Sequence, residues 1–468
     1  MNILKRISDW LRKNPEPKAN NRVQTERIDT GHERPTPNKT PEKKKTQVVI
    51  GLDFGTAFTK VVISGEGQKY AIPFNGGKEG VEKYLLPTRI YEDSSGNYTI
   101  DKPKHFSNVH TDLKMRILND NLDADTKKRI IYYIAFVLQK SRDWLMNEKQ
   151  AIFSGSQLMW MVNIGLPTEK NFDAKLQCMY RRIVEKAWRR STNPCFGTNK
   201  EEETGNFDDQ LHPESIQAFP EFAVQIKSYI SSPQRQDGIH TLIDVGAGTV
   251  DVAVFGIFVR EGENKLSICA ESVKNLGIMA LAQHRLKSLN KTGTWTPSPQ
   301  DSFPSDDKFA EKLGVPKTQI EDADAKFRGI VVNEQINPTL RRAKEKDPKK
   351  AEWRPDIPLP LMLCGGGARV DLYKKITTIL AKPGHGGPLQ KTNLPEFDNL
   401  SVPSLPKSDK DRLSVAYGLS FEAFDIEEVL RIDTPIENPK KNTSACPRCN
   451  GTGSLHGICP RCGNSGFV

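Results

Sequence analysis

The chain has no run of eighteen apolar residues, which excludes a helix that spans a bilayer. Its first residues lack a continuous apolar core, so no secretory leader is expected and the compartment reads as cytoplasmic and reducing. Cysteine is sparse, eight in 468 residues, and Cys178, Cys195, Cys269 and Cys364 lie scattered without ligand spacing. Those four are expected to be buried apolar thiols. Net charge is nearly absent from the middle of the chain, although the total is +10. Residues 1–47 hold twelve Lys and Arg against six Asp and Glu, residues 434–468 hold four against one, and the body between nets +1. Basic tails on a near-neutral body point to something acidic as the docking partner of the tails: phospholipid, nucleic acid or an acidic protein.

What the body does have is three glycine-rich turns, at Asp53–Thr56, Asp244–Thr249 and Gly365–Gly367. In the first two, an apolar run ends at an aspartate, turns, and resumes as a second apolar run, Lys60–Ile63 or Val252–Phe255. Each reads as a β-hairpin whose tip holds phosphate, because glycine permits positive φ and lets successive N–H groups converge on an anion. Gly55, Thr56 and Ala57 form one tip, and Gly246, Ala247, Gly248 and Thr249 form the other. An aspartate beside a phosphate makes sense when Mg²⁺ stands between them, through coordinated water, so Asp53 and Asp244 are candidate metal-shell carboxylates. The third turn reads differently. Leu361–Cys364 is a buried strand, Gly365, Gly366 and Gly367 a loop, and Arg369–Leu380 a helix whose N-terminus faces nucleotide.

Apolar strands alternating with helical patterns at Arg129–Leu145, Phe172–Arg189 and Glu221–Ile230 give an α/β fold class. Through Gly51–Val61, Ile243–Ala253 and Leu363–Arg369, taken in order, the chain resembles the actin and 70-kilodalton heat-shock (DnaK-type) ATPase superfamily. Val162–Pro167, Ala270–Gly277, Ser414–Gly418 and the linker-like Val429–Pro435 are similar to the heat-shock branch. The resemblance covers about residues 48–435. It implies a two-lobed fold of duplicated ribonuclease H-like domains around a nucleotide cleft, with ATP and Mg²⁺ as ligands. It also implies phosphate contacts from Thr56 and Thr249, water positioning by Asp244 or Asp251, nucleotide contact from Arg369, and a catalytic lysine matched best by Lys114.

The chain departs from that family in several places. A family glutamate precedes the proline of the second connecting helix, but here Phe219 precedes Pro220 and Glu221 follows it, so no metal-shell role is assigned to Glu221. Between Lys291 and Pro360 the adenine-contacting helix has no counterpart, and Thr294–Pro304 and Asp347–Pro360 read as remodelled loops. The residues after the linker-like segment read as zinc knuckles rather than as the family's β-rich peptide-binding domain, and His212-Pro213-Glu214 is the nearest match to a His-Pro-Asp loop.

Two tails flank this body. Ile3, Leu4, Ile7, Trp10 and Leu11 share one face of a basic amphipathic helix over residues 1–13. That face suits a membrane interface, a partner's groove or packing on its own domain. Residues 14–47 read as a disordered tether. At the other end, Cys446, Cys449, Cys459 and Cys462 form two C-x2-C pairs repeated at a thirteen-residue period, the spacing of a tetrahedral Zn²⁺ module over residues 436–468. The first pair continues as C-x-x-C-x-G-x-G, which resembles the zinc repeats of DnaJ-type co-chaperones. Taken together, these features predict an Mg-dependent, ATP-binding and ATP-hydrolysing chaperone-like module that engages a protein partner or client. Nucleic-acid binding through the zinc module is the less favoured use. A membrane-held actin-like filament former, a small-molecule kinase and an inactive nucleotide-binding scaffold are the alternatives.

Overall fold

The computed structural model describes residues 44–431 apart from 119–121, 168–172, 194–195, 197–215, 261, 347–350, 355, 383–387, 403–404 and 427–428. The four zinc-spaced cysteines, the amphipathic helix at 1–13, the segment 14–43 and Cys195 lie outside the described residues.

Two apolar runs seed two large sheets. Val48–Leu52 is buried throughout, as a strand covered on both faces must be. It forms the middle of the strand Lys44–Phe54, which turns and returns as Phe58–Gly65. Thr241–Ile243 sits likewise within Gly238–Val245, which returns as Val250–Arg260. In both sheets this first strand pairs antiparallel with its hairpin partner and parallel, on its other side, with a later strand, Ser156–Leu166 or Leu359–Cys364. Each hairpin then extends to a third antiparallel strand, Gln68–Ala71 or Glu263–Lys274, and each later strand gains a parallel neighbour, Ile216–Pro220 or Leu389–Lys391. The same five-strand plan thus occurs twice in a mixed α/β protein.

Helices cover both faces of each sheet. Ala124–Glu148 starts where the Asp123 side chain accepts the Thr126 N–H at 2.7 Å, an N-cap worth about 1 kcal/mol. Its Ile130, Ile134, Val137, Leu138 and Leu145 recur at three- and four-residue spacing and pack with the helix Ala174–Ser191 on the first sheet. Ile278–Ser288, Lys317–Ile330 and Asp371–Leu380 cover the second. Between the sheets, Glu221–Gln225 lays Phe222 and Ala223 on the second sheet, while Ser414–Leu419 lays Ala416 and Tyr417 on the first. Val224, Val415 and Leu419 join these two helices in one apolar cluster. No helix among the described residues is long and apolar enough to cross a membrane.

Several expectations change. The first strand begins at Lys44 rather than Val48, because Lys44–Gln47 pair with Ser156–Met159, and Glu66 accepts from Lys44 Nζ (2.9 Å) and Thr46 Oγ1 (2.7 Å). A composition that reads as tether is therefore strand, because Ser156–Met159 supply its backbone partners. The helix expected over Glu221–Ile230 is two short ones, Glu221–Gln225 and Lys227–Ile230. The one expected from Arg369 is a 3-10 turn, Gly366–Arg369, followed by a helix from Asp371. Cys178 is exposed, since Leu176, Tyr180, Ile183 and Val184 take the core face of its helix, whereas Cys269 and Cys364 are buried as expected. Val429–Arg431, the start of the expected linker, is an edge strand parallel to Leu266–Ile268.

The crossing of the two central helices depends on Gly418, where a Cβ would strike the Val224 carbonyl and lie 2.9 Å from its Cα. Gly418→Ala is expected to lower unfolding free energy by about 1–3 kcal/mol in a denaturant titration. A change below about 0.5 kcal/mol would contradict so tight a backbone contact.

Candidate active site

The three glycine turns, far apart in sequence, line one cleft of about 630 Å³. At its floor the two hairpins place their acids in equivalent registers with opposite results. Asp53 faces Lys60 across the first hairpin, and their side chains pair at 2.5 Å. Asp244 faces Asp251 across the second, an opposition of like charges that destabilises an antiparallel pair unless something positive intervenes.

Both of these acids are shifted. Burial pushes Asp244 up to about 6, against the hydrogen bond it accepts from Gln225 Nε2 at 2.5 Å, and the charges of Glu221 and Asp53 add to the push. Burial, then the charges of Asp244 and Glu221, push Asp251 up to about 7. The Asp251 Oδ1 atom is buried with no hydrogen-bond partner among the described residues. Lys114, on the helix Leu113–Leu118, pairs with Glu221 at 2.7 Å. Burial works to lower its proton affinity, but Glu221, Tyr180 and Asp53 outweigh burial and keep it a cation.

Both hairpin tips are wired at their carbonyls. The Thr88 N–H and hydroxyl bond to the Ala57 and Gly55 carbonyls at 2.9 and 2.8 Å. Gly277, Ile278 and Met279, at the start of the helix Ile278–Ser288, donate to the Gly248, Gly246 and Ala247 carbonyls at 3.2, 3.2 and 3.0 Å. By contrast, the N–H groups of Gly55, Thr56, Ala57, Ala247, Gly248 and Thr249 donate to no acceptor among the described residues. A cluster of unspent N–H groups is what an anion requires. Gly365 closes the third side at φ 84°, and a Cβ there would collide with Asp244 Oδ1 and the Val245 carbonyl.

Every residue expected at the site lines the cleft except two. Gly248 packs instead beneath it, where a Cβ would lie 3.1 Å from Met115 Sδ and 3.5 Å from Thr56 Cγ2. Arg369 turns away and pairs with Asp409 (3.0 Å) and Asp411 (2.8 Å). Sequence reasoning missed Lys60, Glu221, Gln225, Arg412 and the loop Pro299–Phe303, all of which line the cleft. The hairpin register could have found Lys60, which stands seven residues from Asp53 as Asp251 does from Asp244. Glu221 reaches the site although it follows the proline, because Gly165 leaves room: a Cβ there would lie 2.7 Å from Glu221 Cγ.

Whether this donor set suits a divalent cation follows from charge and spacing. Four carboxylates face two lysines, each already paired, which leaves net negative charge beside an unpartnered Asp251 oxygen. No three Asp, Glu, His or Cys side chains among the described residues converge tightly enough to ligate an ion directly. The acidic excess and the unpartnered buried oxygen suit a cation that keeps several of its waters, as Mg²⁺ does.

Because both folded-state values exceed the roughly 4 of an unfolded aspartate, the ligand-free fold retains protons that the unfolded chain has released between about pH 4 and 7. Its stability should fall as pH rises through that window. Asp251→Asn is expected to be more stable than wild type at pH 8, by about 1–3 kcal/mol, with the gap closing as pH falls. Thermal melts from pH 5 to 8 check this, and an identical pH slope in the two proteins would refute the assignment.

No protein-family model matches the chain, and no curated protein matches it.

Proposed function

We propose that this cleft binds Mg-ATP and hydrolyses it. The opposition of Asp244 and Asp251 beside two hairpin tips with unspent N–H groups carries the reading. The N–H groups of Gly55, Thr56, Ala57, Ala247 and Thr249 and the hydroxyls of Thr56 and Thr249 hold phosphate oxygens. Asp53 and Asp244 would hold Mg²⁺ through its waters. Lys114, kept charged by Glu221, offsets negative charge at the terminal phosphate. Asp251, with a proton affinity near neutrality and a free oxygen, accepts the proton of the attacking water. The bound Mg²⁺ would neutralise phosphate and carboxylate charge together.

The twice-used five-strand plan and the helices crossing between the sheets support the finer reading, a duplicated actin-like ATPase of the heat-shock type. Hydrolysis would then alternate the closure of two lobes. The terminal segments would read that closure out, through a protein partner or client bound at the four-cysteine Zn²⁺ module and peripheral membrane contact at residues 1–13. About one zinc per full-length chain, lost in Cys459→Ser, checks the zinc module, and a metal-free full chain would remove it.

At about a hundredfold its dissociation constant, Mg-ATP should add about 2.7 kcal/mol to stability in wild type and far less in Asp244→Ala. Lys114→Ala should lower turnover by about 10²-fold with folding retained. A wild-type protein that neither shifts its melting transition nor releases phosphate under saturating Mg-ATP would overturn the reading.

A further inference from the structure

Arg369 ends the turn Gly366–Arg369, and Arg412, in the turn Asp411–Leu413, packs beside Gly366, but the structure gives the two guanidinium groups different work. Arg369 is held by Asp409 and Asp411 and does not line the cleft. Arg412 does line it. Its guanidinium nitrogens lie 3.6 and 3.8 Å from where a Cβ on Gly366 would stand, and its guanidinium carbon is 5.8 Å from the Phe58 ring centroid beside the first hairpin tip. It reaches from the third glycine turn toward the first. Arg412 makes no side-chain hydrogen bond or ion pair among the described residues, since the two aspartates nearest in sequence are taken by Arg369.

Lys60 and Lys114, the two lysines at the cleft floor, are already spent on Asp53 and Glu221. Lys78 lies 3.8 Å from Glu82, and Arg89, which like Arg412 lies over an aromatic ring (Tyr91, 5.7 Å), follows Thr88 at the first hairpin tip. A polyphosphate seated at the hairpin tips would bring several negative charges to a floor that is already acidic. Among the described residues, Arg412 is a guanidinium without an ion pair that is placed between two of the three glycine turns. Its planar fork of donors matches phosphate oxygens in a bidentate way that a lysine does not.

We propose that Arg412, and not Arg369, grips the polyphosphate of the nucleotide, while Arg369 acts as a positioning residue that keeps Asp409 and Asp411 from capturing it. The inference rests on the nucleotide reading of the cleft given above. It makes Arg369 matter without contact, because removing it releases two carboxylates beside Arg412.

The test is calorimetric affinity of the full-length protein for Mg-ATP, with displacement by inorganic tripolyphosphate, in wild type, Arg412→Ala, Arg412→Lys, Arg369→Ala and the double variant Arg369→Ala with Asp411→Asn. Thermal melts of each variant without ligand report folding. Loss of Arg412 should weaken Mg-ATP and tripolyphosphate alike, on the order of 10- to 100-fold, and lysine should restore only part of it. Arg369→Ala should also weaken both, and Asp411→Asn in that background should recover most of the loss. The proposal is overturned if Arg412→Ala binds Mg-ATP as wild type does, if it loses Mg-ATP but not tripolyphosphate, or if tripolyphosphate fails to displace ATP from wild type. It is equally overturned if Asp411→Asn rescues nothing. A wild-type chain that binds no Mg-ATP at all fails the underlying reading, whereas wild-type binding with an indifferent Arg412→Ala fails this inference alone.

Discussion

Like charges gathered at the floor of a cleft cost free energy, and here Asp53, Glu221, Asp244 and Asp251 are gathered against Lys60 and Lys114. The fold manages this charge unevenly. The first hairpin neutralises itself, because Lys60 stands opposite Asp53. The second leaves Asp244 facing Asp251, with one Asp251 oxygen buried and unpartnered. Burial, and after it the charges of neighbouring carboxylates, pushes both aspartates upward, so proton uptake lowers the charge at this floor in the ligand-free protein. A cation would relieve it in another way, and the surrounding backbone offers N–H donors to whatever anion accompanies that cation.

The rest of the architecture holds these parts in register. Two helices cross between the sheets on a contact that only Gly418 permits, and Asn163 Nδ2 donates to the Leu419 and Phe421 carbonyls, both at 2.8 Å, to fix the second helix to the first sheet. At the cleft edge, the loop reaching Phe303 rests on Arg285, which is fully buried and bonded to Asp306 (2.5 Å) and Asp324 (2.7 Å). That guanidinium lies 5.4 Å from the Phe303 ring centroid and 4.7 Å from that of Phe309. From the same loop, Gln300 Nε2 donates to the Thr88 carbonyl at 3.5 Å, and Thr88 is the residue that ties down the first hairpin tip. A segment that reads as a proline-rich loop therefore joins the two walls of the site.

The parts legible in the sequence are those whose chemistry is local. Asp53–Thr56 and Asp244–Thr249 each carry strand, acid, glycine turn and strand within about a dozen residues, so the hairpins and their acids could be read directly. The placements that the sequence did not reveal depend on partners distant in the chain. Glu221 belongs to the site because Gly165 makes room for it and Lys114 draws it in, and neither fact is visible around Pro220. Arg369 was expected at the ligand from its place after the third glycine turn, but Asp409 and Asp411, forty residues on, claim it. Lys44–Gln47 looked like tether until paired with a strand more than a hundred residues away. Cys178 was expected in the core on residue type alone, and the phase of its helix turns it outward.

If three separated turns make one nucleotide site, hydrogen exchange read by mass spectrometry will report them as one unit. On titration with Mg-ATP, backbone amides in 53–58, 245–250 and 365–369 should slow together, with one shared midpoint and only when Mg²⁺ is present. Protection confined to one of these segments, or midpoints that differ among them, would contradict a composite site.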